Sequence, residues 1–597
     1  MAARWSLVAA ILCLGYSGTA DARVDPAPVR SMPKAGQATP FAPTLTPSLS
    51  GSAVEGVILT ADSLAAAFQS LADYHTRTGH PTVVRTLTTI RADDPRSNDL
   101  AQAIRSFLTR ARTLWGTEWV VLAGDHESIP LRMVRVNFSE TEEIATDAYY
   151  ADLDGTWDAN GDGIFGEVAD SLDMEPDLLV GRIPVDNATE AAQQLAKFLR
   201  YRRAPPVAPL SKHLLLAEVL FPRDWTPGQL VQVDGAIQAE SIRAHLPACS
   251  PPDRYYENQS RYPGSLPLTK PAALAALSRG YAVVQAIGHG SRSQIAMGTD
   301  RITLADLSTL SSGDSAALWI ASNCASAAVD FDCFAEALLR KPFGGAIAYV
   351  GATRDAWPGV SEDVAETVTR LVVPTQGAGV PLGFAIDAAR RALLPQATGE
   401  TPQRWGYFET ILLGDPMLRV WRCEPATLTV TAPASVALGA GGFSVTVESG
   451  GAPVESALVV AVKAGEDYRA VQTDAAGVAW VPFVPASAGP FSLTVSAPDA
   501  IAFEDSIAVT PAAASHFAFA SLEDDDAVHG DGDGTVDAGE AFGFAGNLTN
   551  SGVGASGDPI TIEVEALTGD LVVEQPTADI AGLAPGESVV VGPGDDA

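Results

Sequence analysis

The sequence is short of cysteine, with 5 in 597 residues. Cys13 lies in an N-terminal segment, described below, that we expect to be removed. The remaining cysteines are Cys249, Cys324, Cys333 and Cys423. Four cysteines in a chain of this length do not make a disulfide scaffold, so we expect no bridge to be essential and regard Cys249–Cys423 as the least implausible pair. Neither Cys-x-x-Cys nor His-x-x-x-His spacing accompanies these residues, which disfavours a zinc site.

Basic residues are also few. Lys and Arg number 38 against 72 Asp and Glu, which gives a formal net charge of −34. This charge argues against nucleic acid and anionic membranes as partners, because both carry dense negative charge themselves. It suits an exported protein that stays in solution and binds calcium.

Apolar runs long enough to span a membrane are missing after the N-terminus, so we predict no membrane insertion. The N-terminus has Arg4, an apolar stretch from Leu7 to Leu14 and small residues up to Ala22, which is typical of a signal peptide over residues 1–22. We therefore expect a secreted or cell-surface protein. Residues 23–52 are rich in Pro, Ser, Thr and Ala and predict a linker or a short pro-segment.

Strand and helix patterns alternate from residue 53 to residue 421, which predicts a parallel sheet covered by helices. We divide this α/β region into two subdomains, 53–205 and 206–421. After Cys423 the apolar residues recur with period two between Gly, Ala and Pro turns, which predicts an immunoglobulin-like β-sandwich at 425–511. A second β module is expected at 514–597. The pattern stops midway at Ala597, so we expect that module to be incomplete.

Two apolar runs each lead into a reactive side chain. The run 281–288 ends before His289, and the run 316–321 is followed by Cys324. Continuous apolar runs are typical of buried parallel strands, and reacting groups gather at the carboxyl ends of such strands. We therefore predict a Cys/His dyad in which the imidazole lowers the pKa of the thiol. The alternative is a buried cysteine and an unrelated structural histidine. Gly288 and Gly290 would let the backbone approach a substrate closely.

An acidic segment begins at residue 152 and places oxygen ligands at alternate positions before a glycine, Gly163. This matches the first half of a calcium loop. Ala169 stands where the bidentate Glu belongs, so the loop is not a complete EF-hand, and Glu167, Asp170 or Asp173 would have to close the ligand shell. The alternative is a solvated acidic loop. The predicted calcium ligands are Asp152, Asp154, Asp158, Asn160, Asp162 and Glu167.

A second calcium pattern begins at His529, where the template has Asp. Its predicted ligands are Asp531, Asp533 and Glu540, and calcium there would stiffen a link between β modules.

The stretch from Gly288 to Leu339 resembles the gingipain family of caspase-like cysteine peptidases. The specific matches are Gly-His-Gly-Ser at 288–291, Cys324, and Cys-Phe-Ala-Glu-Ala-Leu at 333–338. Supporting matches lie at 115–125, 147–152, 179–184 and 413–417, so the resemblance covers about 55–421. An immunoglobulin-like module after the catalytic domain also fits this family.

The resemblance implies a caspase-like fold and a secreted endopeptidase that acts on proteins or peptides through an acyl-enzyme. His289 would be the acid/base, Cys324 the nucleophile, and the N–H groups of Gly290 and Cys324 the oxyanion hole. Glu218 matches the position that orients the histidine; its alternative is a solvated loop residue.

Gingipains cut after basic residues, and the resemblance assigns Asp224 and Trp357 to the corresponding pocket. The C-terminal β modules would attach this peptidase to the cell surface or position it. The rival hypothesis, which the tandem β modules motivate, is an inactive caspase-like fold that serves surface adhesion or sorting. An Asp-specific processing enzyme is disfavoured, because the sequence lacks Gln-Ala-Cys-x-Gly.

Overall fold

The computed structural model describes residues 54–97, 99–139, 141–210, 212–512, 515–525, 542–557, 559–563, 572–573 and 577–592. The predicted signal peptide, the linker and the second calcium pattern at Asp531, Asp533 and Glu540 lie outside these ranges. No helix in the described ranges is long and apolar enough to cross a membrane.

Eleven strands form one central sheet across both halves of the α/β region. In chain order they are β1 Gly56–Thr60, β2 Thr82–Thr86, β3 Trp119–Ala123, β4 Leu179–Ile183, β5 His213–Ala217, β6 Pro252–Tyr256, β7 Leu266–Pro267, β8 Val283–Ile287, β9 Ala317–Ser322, β10 Ala346–Ala352 and β11 Thr410–Leu413. The strand order is β7-β6-β5-β8-β9-β10-β11-β4-β3-β1-β2.

Neighbouring strands in this sheet are parallel except β10 and β11, which are antiparallel. β11 is parallel to β4, so the strand direction reverses between β10 and β11, which both lie in the predicted subdomain 206–421. The central sheet is therefore mainly parallel, with one antiparallel pair, and the two predicted subdomains share it. The strands β1, β3, β8 and β9 are buried at every residue, as continuous apolar runs predict.

Helices cover the sheet and begin at recognisable caps. The side chain of Asn187 accepts hydrogen bonds from Thr189 N and Glu190 N at the start of one helix, and Asp99 caps another. The first helix is an exception, because Leu64 occupies its N-cap position and its side chain makes no capping hydrogen bond. The α-helices are Ala65–Arg77, Leu87–Asp93, Leu100–Trp115, Ala148–Ala151, Ala188–Arg203, Val207–Leu210, Gly235–Ala244, Lys270–Leu277, Leu304–Leu307, Phe334–Leu339, Val360–Val372, Leu382–Leu393 and Pro402–Glu409.

A strand-rich region follows the α/β region, as predicted. Its five-stranded sheet pairs Ser435–Ala437, Phe503–Thr510, Gly489–Ser496, Leu458–Lys463 and Asp467–Gln472, and a second sheet contains Thr429–Thr431, Phe443–Ser449, Ala452–Pro453 and Val478–Val481. Beyond it lie the strands Phe517–Asp525, Gly543–Asn550, Ile560–Glu563, Thr577–Ile580 and Ser588–Val591.

The strand-rich region is tied to the α/β region by charged pairs. Arg203 donates to both carboxylate oxygens of Glu504, at 2.5 and 2.7 Å. Arg422 contacts Asp499 at 3.1 Å. The adjacent Cys423 forms a disulfide with Cys249, the pair considered in the sequence.

One buried ion pair joins three segments beneath the sheet. Arg182 in β4 donates to both oxygens of Asp147, at 2.7 and 2.8 Å, and its remaining N–H groups reach the carbonyl oxygens of Gly124 and Ile129. The Arg182 side chain is 0% exposed. A buried ion pair is tolerated when each group is hydrogen-bonded in this way.

Replacing Asp147 with Ala should lower the free energy of unfolding of the α/β region by about 3–5 kcal/mol, because Arg182 would stay buried without a counter-charge. Urea unfolding followed by circular dichroism measures the change. The matched control is Glu143→Ala, which removes a half-exposed partner of Arg135 at 3.6 Å and should cost less than about 1 kcal/mol. Equal losses in the two variants would contradict this prediction.

Candidate active site

Strand pairing brings the two predicted reactive residues to one edge of the sheet. β8 and β9 are parallel, with Ile287 opposite Ser322. His289 and Cys324 each stand two residues beyond this pair. Asn323 closes the gap between the two loops by donating from its side-chain Nδ2 to the carbonyl oxygen of Gly288 at 2.7 Å. The loops that carry the imidazole and the thiol are therefore held side by side.

The glycines on either side of His289 make room for protein groups. A Cβ atom on Gly288 would lie 2.9 Å from Oε2 of Glu218, and one on Gly290 would lie 2.8 Å from Cβ of Asn323. Both distances are shorter than ordinary contacts. We expected a substrate to approach the backbone at these two glycines. The space beside them is instead occupied by Glu218 and by the loop that carries Cys324, which both pack against the loop of His289.

Glu218 follows β5 and is buried beside His289. Its carboxylate accepts a hydrogen bond from the main-chain N–H of His289 at 2.7 Å. The imidazole itself makes a different contact, because its Nε2 lies 2.8 Å from the carbonyl oxygen of Leu220. A carbonyl oxygen only accepts, so Nε2 carries the proton and Nδ1 is left as the basic nitrogen of the neutral ring. The main-chain carbonyl of Leu220, not the carboxylate of Glu218, therefore sets the tautomer.

Burial controls the charge state of the site. Burial, followed by the negative charge of Asp355, raises the pKa of the Cys324 thiol to about 11. Burial also lowers the pKa of the His289 imidazole and raises the pKa of Glu218 to about 7. Before substrate binds, the thiol and the imidazole are therefore both neutral at pH 7, in contrast to the imidazole-lowered thiol pKa expected from the sequence.

A cleft opens above these residues and encloses about 690 Å³, open solvent at its mouth included. The ring of Phe221 packs edge-on against the imidazole of His289, with ring centroids 5.9 Å apart. The cleft is lined by Leu220, Phe221, Arg223, Gly288, His289, Ser322, Cys324, Asp355, Ala356, Trp357, Pro358, Ser361 and Glu362. The imidazole and the thiol thus face one shared cavity.

Of the two predicted substrate-binding residues, Trp357 lines the cleft and Asp224 is not among its lining residues. Trp357 is held by edge-on contacts with Phe138 and Trp405. The Asp224 side chain is 71% exposed and lies 3.6 Å from Arg301. The carboxylate assigned to the pocket by resemblance is therefore on the surface and has a cationic partner there.

The cleft contains a buried carboxylate that sequence reasoning missed. Glu362 stands in the first turn of the helix Val360–Val372, where its Oε2 accepts a hydrogen bond from Gly359 N. Its burial raises the pKa of its carboxyl group. The available signal was the spacing of valines at 360, 364, 368 and 372, which predicts a helix and places Glu362 in its first turn.

The predicted calcium ligands separate into two groups. Asp158, Asn160 and Asp162 form a turn in which a side-chain oxygen of each accepts from the main-chain N–H group of Gly163, Asp162 and Ile164, respectively. The other carboxylate oxygen of Asp158, Oδ1, is buried and has no hydrogen-bond partner among the described residues. Glu167 lies beyond this turn, where its N–H donates to Asp170.

The second group brings Asp152 and Asp154 together with Asp173, with one carboxylate oxygen of each within 4.8 Å of the others. Burial and the charge of Asp173 raise the pKa of Asp152 to about 7.

The model of peptidase family C25 matches residues 50–421 of this chain. No curated protein sequence matches it. Among solved structures, the Arg-specific cysteine proteinase gingipain R (RgpB) is 18% identical with a TM-score of 0.60, over 78% of this chain and all of that one. A complex of RgpB pro- and mature domains from Porphyromonas gingivalis is 17% identical with a TM-score of 0.59, over 76% of this chain and all of that one. A structure described only as a protease is 19% identical with a TM-score of 0.57, covering 76% and 97% of the two chains.

The structural likenesses show a gingipain-like caspase fold, built on the large, mainly parallel sheet described above. The family match extends over more than half of the chain and includes the loops that carry His289 and Cys324. This chain therefore belongs to peptidase family C25, the gingipain family of cysteine peptidases.

Proposed function

We propose that the protein is a secreted cysteine endopeptidase in which Cys324 attacks the peptide carbonyl and His289 transfers the protons. The observation that carries this proposal is the pairing of Ile287 with Ser322, because it brings the thiol and the imidazole to the rim of one cleft. A parallel sheet gathers reacting groups at such an edge.

The tautomer of His289 defines the order of proton transfers. With the Nε2 proton held by Leu220 O, Nδ1 accepts the thiol proton as Sγ bonds to the substrate carbonyl carbon. The imidazolium then protonates the leaving amine, and water hydrolyses the acyl-enzyme by the reverse transfers. We assign stabilisation of the developing oxyanion to the N–H groups of Gly290 and Cys324. Glu218 positions the histidine loop through its main chain.

We assign recognition of a basic side chain, Arg or Lys, to the same cleft. Its lining has two carboxylates, Asp355 and Glu362, against one cation, Arg223, so its charge is negative overall when both are ionised. Trp357 offers an aromatic face for stacking. Glu362 is buried and Asp224 is exposed, so we place the principal charge contact at Glu362 and a peripheral one at Asp224.

The regions outside the catalytic centre suit an exported enzyme. We propose that the sandwich at 425–511 is immunoglobulin-like and that the strand-rich C-terminal region attaches the peptidase to a surface or positions it. We also propose calcium as a structural ion of the acidic segment 152–167, because carboxylate oxygens are its preferred ligands.

The rival function, an inactive fold for adhesion or sorting, accounts for the β modules alone. It gives no reason for an imidazole and a thiol to line the same cleft.

Replacing Cys324 with Ala should lower kcat/KM for peptide substrates by at least about 10⁴-fold, because the nucleophile is lost. Hydrolysis of paired Arg, Lys and Asp chromogenic peptides, with calcium and reductant, measures this. The control is Cys333→Ala, which removes the other free thiol from the core and should retain activity. No turnover by folded wild-type protein would favour the adhesion or sorting role.

The free enzyme should react slowly with iodoacetamide at pH 7, roughly a hundredfold more slowly than free cysteine, because a raised thiol pKa leaves little thiolate. The reactivity of a thiol with a pKa of about 11 rises with pH, by about tenfold per pH unit until the thiol ionises. Mass spectrometry of the labelled Cys324 peptide gives the rate at each pH. A plateau below about pH 8 would instead show a resting thiolate–imidazolium pair.

Exchanging Glu362 for Gln keeps a side-chain oxygen to accept from Gly359 N but removes the charge. We expect kcat/KM for Arg and Lys peptides to fall by about 10- to 100-fold, with little change for neutral peptides, because a charge-assisted contact is lost. Asp355→Asn is the matched control at an exposed carboxylate of the same cleft and should cost less than about fivefold. A larger loss in Asp355→Asn or Asp224→Asn would move the charge contact to that residue.

A further inference from the structure

Three carboxylates converge at the start of the acidic segment 152–167. One oxygen each from Asp152, Asp154 and Asp173 lies within 4.8 Å of the other two. Like charges at this separation repel one another unless a cation lies between them. A cation bound between the three carboxylates would relieve this repulsion.

Asp152 is the decisive member, because its side chain is 1% exposed and neither carboxylate oxygen has a hydrogen-bond partner among the described residues. A buried carboxylate is ordinarily satisfied by hydrogen bonds, a cation or a metal ion. The nearest cation, Arg105, stays 3.9 Å away. Its N–H groups donate instead to the main-chain oxygens of Asp152 and Asp154, at 3.0 and 2.6 Å.

We propose that Asp152, Asp154 and Asp173 bind a divalent cation, in a centre distinct from the turn formed by residues 158–163. The chemistry favours calcium, because the available groups are all carboxylate oxygens and calcium accepts irregular oxygen shells completed by water. The proposal narrows the calcium suggested above to three named residues. It does not depend on the peptidase chemistry, because ion binding is measured separately from hydrolysis.

The position of this centre connects it to the cleft through the helix Pro402–Glu409. Arg404 of that helix donates to Gly166 O and lies 3.3 Å from the sulfur of Met174, next to Asp173. Its neighbour Trp405 donates to Asp355 O at 2.9 Å and packs against Trp357. A cation bound to Asp173 would therefore also restrain the helix Pro402–Glu409, which supports Trp357 in the wall of the cleft.

The experiment titrates calcium chloride into the chelator-treated full chain and records heat by calorimetry and Tm by scanning fluorimetry. Wild type should bind calcium and gain Tm. Asp173→Asn should bind at least about tenfold more weakly, while its calcium-free Tm should equal or exceed that of wild type because a repulsion is removed. Asp154→Asn removes a carboxylate at an exposed position and should show the same weaker calcium binding. It is the variant to use if Asp173→Asn does not fold.

Asp162→Asn is the matched control, since it removes a charge from the turn formed by residues 158–163 and should leave this binding unchanged. A wild-type calcium affinity in both Asp173→Asn and Asp154→Asn would overturn the proposal. So would an absence of wild-type binding at about 1 mM calcium, the weak limit of extracellular calcium modules. Binding that depends on Asp162 and not on Asp173 would place the ion in the turn instead. If calcium binds as proposed but no peptide is cleaved, only the proposed peptidase function fails.

Discussion

The pairing of β8 with β9 is the constraint on which the proposed catalytic centre depends. Both strands are buried along their whole length, so a shift of one residue would place the wrong side chains against the helices on either face. That register sets Ile287 opposite Ser322, and the bond from Asn323 to Gly288 O extends the pairing into the loops. A side chain at position 290 would clash with Asn323, so the two loops pack closely. The register of the sheet therefore sets the relative position of the imidazole and the thiol.

Burial gives this centre a chemical character that its residue types alone do not. A cysteine and a histidine in water would titrate near neutral pH, but here removal from solvent disfavours both charged forms. In the proposed mechanism, proton transfer would then accompany attack on the substrate. The Leu220 carbonyl suits that order, because it keeps the proton on Nε2 and leaves Nδ1 as the basic nitrogen. A carboxylate bonded to the ring would instead favour the imidazolium before substrate arrived.

The sequence was most informative where apolar periodicity coincided with a buried strand. It predicted the strands that lead into His289 and Cys324 and the change to period-two strands after Cys423, because burial imposes these patterns directly. It did not predict that Glu218 would bond to the main chain, since that depends on the path of the backbone after β5. The positions of Asp224 and Glu362 relative to the cleft also could not be predicted, because both residues lie on segments whose direction is set by contacts distant in sequence.

Asp147 and Asp152 show two answers to the same physical problem. Both carboxylates are buried, yet Asp147 receives two hydrogen bonds from Arg182 and Asp152 receives none from any described residue. A bound divalent cation supplies two charges from solvent and accepts several carboxylates at once. The unpartnered carboxylate oxygens of Asp152 therefore favour the proposed cation site, through which the fold would take part of its positive charge from outside the chain.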